Sequence, residues 1–479
     1  MSRLSAVLIV LAIWAAIYLP GLGTLEIKGE EGRRILPAVT MLQSGNFIVP
    51  HVGSEPYFRK PPLINWLVAG SFALFGQRNE WAARLPSALS VLAVALAFVT
   101  VARRSLGPAG SLAASLIWMA NFGMIEKGRL IEIEALYVSL CGLALICWLS
   151  FWRERRSPWL TWTVPFIFLG LGWLAKGPLH LVFFYAVALG VLHASGELRA
   201  ARHLAHAVGV VVMLAIFAAW AVPHLRVMQD ADVAGAWAQQ FSGRLAGDDF
   251  KLSGWIMNIP RGLAYFLPWT VLLPFVRPTS FAESRDAALA KGLLYGIAIS
   301  FVAINLVPGS LARYTMPLIA PAAWLTAMLL SSPASNLPPW LRWPKPRALS
   351  PALRLPLAIA ALACVVIAIY AFALMPALRQ REKIRNIAQE INAALPPAIP
   401  LYAVDPEYQP FLFYVRDPLI YVSTIEEVPA DATYVLVQRE RAEDLAESTR
   451  WEPRMPRSIF QREEYRKKEV VLFEITAGG

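Results

Sequence analysis

The sequence predicts an all-α polytopic membrane bundle followed by a small α/β domain outside the bilayer, and three observations carry this prediction. Of the 479 residues, 57% are hydrophobic and only 16% are charged, against about 45–50% and about 25% in soluble proteins. Apolar stretches that can cross about 30 Å of hydrocarbon recur along residues 1–375. Residues 376–479 instead alternate short β-rich runs with polar helical stretches. This composition excludes disordered, collagen-like and disulfide-stapled chains.

Eleven apolar segments are predicted to be transmembrane helices. The first carries Arg3 ahead of its apolar stretch, as a signal peptide does, but it lacks a clear small-residue cleavage site before Leu25. We therefore predict a retained helix. The fifth, sixth and eighth segments are short and contain Pro or Gly, so the count depends most on them. The predicted limits are 4–22, 81–102, 108–125, 133–152, 160–175, 178–194, 205–223, 261–276, 288–306, 314–331 and 354–375.

The formal net charge is +11. Basic residues of a membrane protein anchor it and contact lipid phosphates, so the charge indicates membrane lipid as a partner. Nucleic acid is not a predicted partner. If the first helix enters from the cytoplasm, every loop on that side is basic, as the positive-inside rule requires. The loop of residues 24–80 and the segment 376–479 then lie on the opposite face. The basic residues of the inward loops are Arg103, Arg104, Arg153, Arg155, Arg156, Arg199, Arg202, Arg277, Arg285, Lys291, Arg342, Lys345, Arg347 and Arg354.

The C-terminal segment is predicted to be an α/β domain whose role the sequence leaves open. Its helical stretches lie near Arg381 to Ala394 and Arg439 to Ser448. The cysteines are expected to be small core residues of apolar runs, with neither a disulfide nor a zinc site; they are Cys141, Cys147 and Cys364. The predicted strands are Pro400 to Val404, Phe411 to Val415, Leu419 to Val422, Thr433 to Val437 and Val470 to Ile475.

The outward loops concentrate charge near the membrane surface, most of all in the first loop. Glu30, Glu31, Arg33 and Arg34 open an amphipathic stretch that stops at Ser44-Gly45. A structural explanation is available, because acids in a first turn complement the helix dipole and Glu30 is spaced to pair with Arg34. The same loop continues with Tyr57, Phe58, Arg59, Lys60, Pro61 and Pro62, ahead of the apolar run from Leu63 to Phe75.

Four further outward loops carry the remaining candidates. Each residue alone has a structural explanation, but together they gather carboxylates and cations on one face, which is typical of a site. Cations at headgroup depth suit a lipid phosphate, and carboxylates beside them suit proton abstraction from a hydroxyl or stabilisation of a cationic sugar centre. These residues are Lys127, Arg129, Glu132, Glu134, Lys176, Arg244, Arg313 and Tyr314.

These motifs resemble the GT-C glycosyltransferases that include lipid A 4-amino-4-deoxy-L-arabinose transferase and the protein O-mannosyltransferases. Glu30-Glu31-Gly32-Arg33 followed by Tyr57-Phe58-Arg59-Lys60-Pro61-Pro62 is similar to that family's first periplasmic loop. Three more matches follow in the family's order: Arg129 with Glu134, the run from Gly172 to Pro178 around Lys176, and Arg313-Tyr314 with Pro317. The resemblance covers most of residues 1–330. It implies a bacterial cytoplasmic (inner) membrane enzyme with its site and C-terminal domain in the periplasm.

The resemblance also implies roles for individual residues. Catalytic acids fall on Glu30, Glu31 and Glu134, with the catalytic centre at Glu30. Lys60 and Arg244 match donor-phosphate ligands, and Arg33, Arg313 and Lys176 are expected to assist them. The predicted substrate pocket contains Tyr57, Arg34, Arg59, Tyr314 and Arg129.

The sequence departs from the family pattern in a basic direction. Glu replaces the usual Asp at 30 and 134, Arg34 replaces a Tyr, and Arg59 replaces the Glu of a Glu-Lys-Pro-Pro motif. Arg59 at an acid position disfavours a divalent metal, and no cofactor is predicted. We expect the basic loop to favour a neutral or acidic sugar, or a phosphorylated acceptor, over an amino sugar.

The function that follows is inverting transfer of a sugar from a polyprenyl (undecaprenyl-type) monophosphate to an envelope acceptor, foremost lipid A or lipopolysaccharide. A protein hydroxyl is the alternative acceptor within the same fold. A lipid or sugar transporter would place ionisable groups in mid-helix, whereas the predicted span interiors are nearly free of charge. A non-enzymatic assembly protein is the remaining alternative, and it predicts that Glu30 and Lys60 tolerate Ala.

Overall fold

The computed structural model of the protein describes residues 1–58, 60–229, 232–246, 250–281, 283–332, 350–406, 409–463 and 469–477. The chain forms two compact units. The first contains Met1–Pro20, Arg59–Leu63 and Leu85–Ala371, and the second contains Gly21–Phe58, Ile64–Arg84 and Phe372–Gly479. This division differs from the predicted domains 1–375 and 376–479, because most of the loop 24–80 packs with the C-terminal segment.

The fold is mainly helical, as predicted. Seven described helical segments have the length and composition to cross a membrane, and three shorter apolar helices accompany them. The helices up to residue 175 are α1 (Arg3–Tyr18), α2 (Gly32–Ser44), α3 (Leu63–Phe75), α4 (Glu80–Thr100), α5 (Arg103–Met119), α6 (Phe122–Lys127), α7 (Ile133–Arg153) and α8 (Pro158–Ala175). Those that follow are α9 (His180–Ala194), α10 (Leu204–Val227), α11 (Val233–Ala246), α12 (Leu252–Ile256), α13 (Asn258–Ala264), α14 (Ser284–Leu306), α15 (Ile319–Ser331), α16 (Pro351–Ile369) and α17 (Met375–Arg379).

The predicted count of eleven spans is not confirmed. The predicted eighth span, 261–276, consists of the end of α13 and a separate 3₁₀ helix, Trp269–Phe275. Pro268, directly before the 3₁₀ helix, explains this break, since a proline removes a backbone donor and clashes with the preceding turn. The predicted tenth span begins as a 3₁₀ turn, Ala312–Leu318, and becomes α-helical in α15.

Helix ends in the first unit follow local sequence signals. Ser157 caps α8 by accepting a hydrogen bond from the backbone N–H of Trp159, and Pro158 occupies the first helical position, where its missing N–H has no consequence. Asn121 caps α6 by accepting from the backbone N–H of Met124 at 2.9 Å. These caps fix where the loops between spans begin and end.

Small residues allow the apolar helices of the first unit to approach closely. A Cβ atom added to Gly292 of α14 would lie 2.4 Å from the Cα of Val191 in α9, and one added to Gly296 would lie 2.6 Å from the Cα of Val187. Gly292 and Gly296 form the small-xxx-small spacing that lets membrane helices pack backbone to backbone. Gly209 of α10 plays the same part against α8, where an added Cβ would lie 2.2 Å from the carbonyl oxygen of Trp162.

The second unit contains α2, α3, the helix α18 (Ile384–Ala394), the short helix α19 (Ala442–Ala446), a two-stranded ribbon and a mixed five-stranded sheet. The strands are β1 (His51–Val52), β2 (Glu55–Pro56), β3 (Leu401–Val404), β4 (Leu419–Val422), β5 (Tyr434–Gln438), β6 (Arg454–Glu463) and β7 (Glu469–Ala477). The five-stranded sheet has the order β4-β3-β5-β7-β6; β3 is parallel to β4 and β5, and β7 is antiparallel to β5 and β6.

Four of the five predicted strands are confirmed. The run Phe411 to Val415 is wrong as a strand: it is a 3₁₀ turn, Pro410–Phe413, whose residues are all buried. A continuous apolar run that begins at a proline carries no period-2 signal, so it does not distinguish a strand from a buried turn. The sequence missed β6, because its charged residues hide the alternation.

Within the second unit, residues of the first loop and of the C-terminal segment form hydrogen bonds and an ion pair with one another. The Glu26 carboxylate caps α18 by accepting from the backbone N–H groups of Ile384 and Arg385, each at 3.0 Å. Arg385 forms an ion pair with Glu80, and the hydroxyl of Tyr414 donates to the same carboxylate at 2.9 Å. The loop and the C-terminal segment therefore stabilise each other.

Candidate active site

Glu31 lies in a buried ion pair at the start of α2. Nε and Nη2 of Arg84 donate to its two carboxylate oxygens at 2.8 and 2.9 Å, and each of the two side chains is 4% exposed. The remaining Arg84 donors reach the carbonyl oxygens of Leu22, Leu25 and Glu26. Because both oxygens of Glu31 are engaged by Arg84, the geometry favours a positioning role for Glu31 over the catalytic role predicted for it.

Glu30, one residue earlier, is in a different setting. Its side chain is 38% exposed, and Arg33 lies 3.4 Å from it while Arg34 lies 4.0 Å away. Arg34 is buried and donates from Nη1 to the Tyr57 hydroxyl at 2.9 Å, and its backbone carbonyl accepts from Asn65 at 2.8 Å. The structure thus brings together four predicted site residues: an accessible carboxylate, two guanidinium groups and a tyrosine.

A second cluster, the Glu134 cluster, is defined by Glu134, Lys176, Arg313 and Tyr314 in the first unit. Glu134 lies in the first turn of α7, Lys176 ends α8, and Arg313 lies in the 3₁₀ turn that leads into α15. Lys176 Nζ and Arg313 Nε lie 3.1 and 3.0 Å from the same Glu134 oxygen. Lys176 Nζ also lies 4.7 Å from the centre of the Tyr314 ring. Two cations thus share one carboxylate, and the nearby Glu132 carboxylate also interacts with Glu134 and Arg313.

Lys127 lies between two carboxylates in the loop before α7. Its Nζ is 3.0 Å from Glu126 and 3.0 Å from Glu132. Burial lowers the pKa of Lys127, but the two carboxylates outweigh burial, and the net pKa is raised. Burial is also the largest influence on Glu132 and raises its pKa, against the opposing charge of Lys127. Lys127 thus faces two carboxylates, so these three side chains together carry one excess negative charge.

Arg129, which is predicted to lie in the substrate pocket, contacts the end of α1. Its two Nη atoms donate to the backbone carbonyls of Ile17 and Pro20 at the end of α1. A helix C-terminus leaves carbonyl groups without helical partners, and a guanidinium satisfies them well. The geometry favours Arg129 as a clamp on the end of α1.

The remaining predicted residues are described in part. Lys60 precedes α3, is half-buried and groups with the first unit. Arg59 and the side chain of Arg244 in α11 lie outside the described part of the chain, as do Arg342, Lys345 and Arg347. Among described residues, no three His, Cys, Asp or Glu side chains are grouped to hold a metal ion.

Sequence reasoning missed Arg84. The signal was present, since a lone arginine in an apolar run is expensive unless it is paired. The partner was not identifiable, because Glu31 is 53 residues away in the chain.

Apolar helices long enough to cross a membrane, together with a small mixed sheet, are the architecture expected of a GT-C fold. Comparison with solved structures supports this fold. ArnT from Cupriavidus metallidurans, in a crystal structure bound to undecaprenyl phosphate, matches with a TM-score of 0.67 over 98% of this chain and 97% of that one. The sequence identity is 18%, so this match concerns the fold.

Sequence comparison confirms the resemblance. Residues 59–222 match the dolichyl-phosphate-mannose-protein mannosyltransferase family. An undecaprenyl phosphate-α-4-amino-4-deoxy-L-arabinose arabinosyl transferase of Pseudomonas fluorescens is 28% identical over 331 residues, 68% of this chain and 59% of the relative. One from Pseudomonas aeruginosa is 29% identical over 62% of this chain and 54% of its own length. The chain thus spans less than two thirds of these relatives.

Proposed function

We propose that the protein is an integral membrane glycosyltransferase that moves a sugar from a polyprenyl (undecaprenyl-type) monophosphate to an envelope acceptor, foremost lipid A or lipopolysaccharide. The observation that most supports this proposal is that two cations, Lys176 and Arg313, lie within 3.1 Å of one Glu134 oxygen. The names of the two Pseudomonas relatives support the class of donor.

The Glu134 cluster has the chemistry needed for a phosphate leaving group. A polyprenyl phosphate gains negative charge as its bond to the sugar breaks, and preorganised cations stabilise that charge. Glu134 holds Lys176 and Arg313 in place before substrate arrives, which lowers the reorganisation needed at the moment of reaction. We assign Lys60, Arg244 and Arg33 to the same task on the basis of the family resemblance alone.

Glu30 is proposed as the general base when the acceptor is a hydroxyl. The acceptor oxygen attacks the anomeric carbon, its proton passes to Glu30, and the bond between that carbon and the phosphate oxygen breaks, leaving the electron pair on the polyprenyl phosphate. A single displacement inverts the anomeric configuration. A phosphate acceptor requires no base, and Glu30 then orients the substrate or offsets positive charge on the sugar. The exposure of Glu30 supports its assignment over the buried Glu31.

We propose a neutral or acidic sugar. Glu31 is neutralised by Arg84, and Glu30 has both Arg33 and Arg34 within 4.0 Å. A sugar ammonium group would compete with these guanidinium groups for the Glu30 carboxylate. Exclusive use of an aminoarabinose lipid in a donor assay would contradict this choice of sugar.

The proposed location is the bacterial inner membrane, with the reaction and residues 376–479 on the periplasmic side. The basic loops at 103–104, 153–156 and 199–202 support this orientation through the positive-inside rule. Labelling of single cysteines, introduced at exposed Ser44 and Arg199 in separate Cys-free variants, tests it: a membrane-impermeant reagent added to intact spheroplasts is expected to reach only position 44.

The function is tested by mass spectrometry of envelope lipids and glycans from cells lacking the protein and complemented with variants. Glu30→Gln and Lys60→Ala are expected to lose one hexose-, pentose- or uronate-sized increment from a defined acceptor. Lys291→Ala, on an exposed surface predicted to face the cytoplasm, is the matched control and is expected to retain it. All variants must reach the membrane in equal amounts. An unchanged glycome in the deletion strain and in both site variants would favour a transporter or assembly protein.

A further inference from the structure

A pocket of arginine side chains lies among the ends of four helices of the first unit, and we call it the basic cleft. Its volume is about 670 Å³, and Arg3 of α1, Arg103 and Arg104 of α5, and Arg156 beyond α7 line it. Glu154, at the end of α7, adds a carboxylate to the lining. None of these residues has a part in the proposed sugar transfer.

The charge of the basic cleft is unbalanced. Among the described residues that line the cleft, Glu154 is the one acid. One of its carboxylate oxygens lies 3.0 Å from Arg156 Nε and 3.0 Å from Arg156 Nη2. Its other oxygen accepts from the Ser105 hydroxyl at 3.3 Å. In the described ranges, no carboxylate forms an ion pair with Arg3, Arg103 or Arg104. Three guanidinium charges therefore remain in excess.

Arg103 supplies a second, independent observation. Its Nη2 donates to the Met1 carbonyl at 2.7 Å, whereas its buried Nη1 has no hydrogen-bond acceptor in the described part of the protein. A buried donor without an acceptor carries a desolvation penalty, so the protein itself does not fully satisfy the Arg103 guanidinium.

The surroundings identify the kind of anion. The cleft opens on the face that the positive-inside rule predicts to be cytoplasmic, and its neighbour α1 exposes Leu4 and Leu8 by 67% and 56%. A free phosphate would use the arginines but not the exposed apolar side chains. A phospholipid uses both, and basic pockets between membrane helices on this face suit anionic headgroups.

We infer that the basic cleft binds the phosphate headgroup of an anionic bilayer phospholipid, whose acyl chains lie along the exposed apolar side of α1. Forked guanidinium groups accept a phosphate through paired charge-assisted hydrogen bonds. This inference is independent of the proposed function.

The test is native mass spectrometry of the full chain released from nanodiscs of phosphatidylcholine that contain phosphatidylglycerol as the anionic probe. The parent protein is expected to retain phosphatidylglycerol in preference to phosphatidylcholine. Arg103→Gln/Arg104→Gln is expected to weaken this retention roughly 25-fold, because each arginine near the surface adds about a factor of five to the affinity. Arg3→Gln/Arg104→Gln, which changes two exposed side chains, gives a second variant with little risk to folding.

Arg199→Gln/Arg202→Gln is the matched control, since it removes the same charge from exposed positions on the same predicted face, outside the cleft. It is expected to retain the lipid as the parent does. Three results would overturn the inference: no preference in the parent, equal loss in the cleft and control variants, or displacement of the lipid by millimolar inorganic phosphate. The last result would assign the cleft to a soluble phosphate.

Discussion

Glu31 and Glu134 both lie at the starts of helices and both contact guanidinium groups, yet the two arrangements differ in what they leave available. The Glu31–Arg84 pair is closed: both side chains are 4% exposed, and the other Arg84 donors reach backbone carbonyls. The Glu134 cluster is open: two cations share one carboxylate, and Arg313 is 37% exposed. A closed pair holds structure, whereas a partly exposed cation such as Arg313 remains accessible to an anion.

The largest expected effect is on the closed pair. Arg84→Ala leaves Glu31 buried without its cation, which typically costs about 3–5 kcal/mol. We expect a lower thermal unfolding midpoint for the purified protein in detergent. Glu31→Ala/Arg84→Ala should recover part of that loss, because no uncompensated charge remains. The matched control is Arg199→Ala at an exposed position outside the basic cleft. An Arg84→Ala midpoint equal to that of the parent would remove the distinction between the two arrangements.

The open cluster should respond in activity rather than in stability. Lys176→Ala removes one of the two cations at Glu134, and loss of a preorganised contact of this kind lowers turnover about 10²–10³-fold. The measurement is transfer rate with the native envelope donor, together with the thermal midpoint. Lys291→Ala serves as the control. A large drop in midpoint at unchanged specific activity of the folded fraction would mean that the cluster is structural.

Arg129 contacts backbone carbonyls at the end of α1, although the family resemblance predicted a substrate contact. Arg129→Gln removes charged hydrogen bonds to the end of α1, each worth about 1.5–3 kcal/mol. We expect reduced stability with an unchanged KM for the donor. Steady-state kinetics at several donor concentrations separates the two roles, since a pocket residue would raise KM in protein that melts normally.

The smallest effect concerns pH and the second unit. Burial, reinforced by the nearby Glu26 carboxylate, raises the pKa of Glu382 above its ordinary value of 4.5. The folded state thus holds this proton more tightly than the unfolded state. The resulting stability is full below pH 4.5 and is lost as pH rises through the folded pKa.

Glu382→Gln cannot titrate, so the parent midpoint should fall relative to that of the variant as the pH rises above 4.5. Thermal scans across this range provide the measurement. Glu390→Gln changes a carboxylate on the same unit that is paired with Arg462 at 3.0 Å, and it is the control. Parallel curves for the parent and Glu382→Gln would contradict the raised pKa.

Much of this architecture could be predicted from the sequence because apolar length and period-2 alternation are local signals. They gave ten of the eleven helical segments and four of the strands. These signals failed where one sequence pattern is compatible with two different local structures. The run Phe411 to Val415 is apolar and buried, yet Pro410 starts a 3₁₀ turn there. In β6 the charged residues mask a strand that is fixed by its pairing with β7.

The candidate residues could be nominated from the sequence, but their pairings could not. Glu134 and Lys176 lie 42 residues apart, and only packing of α7 and α8 brings their side chains together. For the same reason, the sequence does not reveal that Glu30 is accessible while Glu31 is buried. Both are acids beside arginines in the sequence, and the closed state of Glu31 depends on a distant residue, Arg84.

The cap that Glu26 provides for α18 has a consequence for the order of synthesis. Glu26 leaves the ribosome 358 residues before Ile384, which donates one of the capping hydrogen bonds. The loop that contains Glu26 must therefore stay available while the intervening helices are inserted. A C-terminal fragment made alone would lack this cap and the Glu80 carboxylate that Arg385 and Tyr414 contact. Folding of α18 thus depends on a carboxylate translated 358 residues before it.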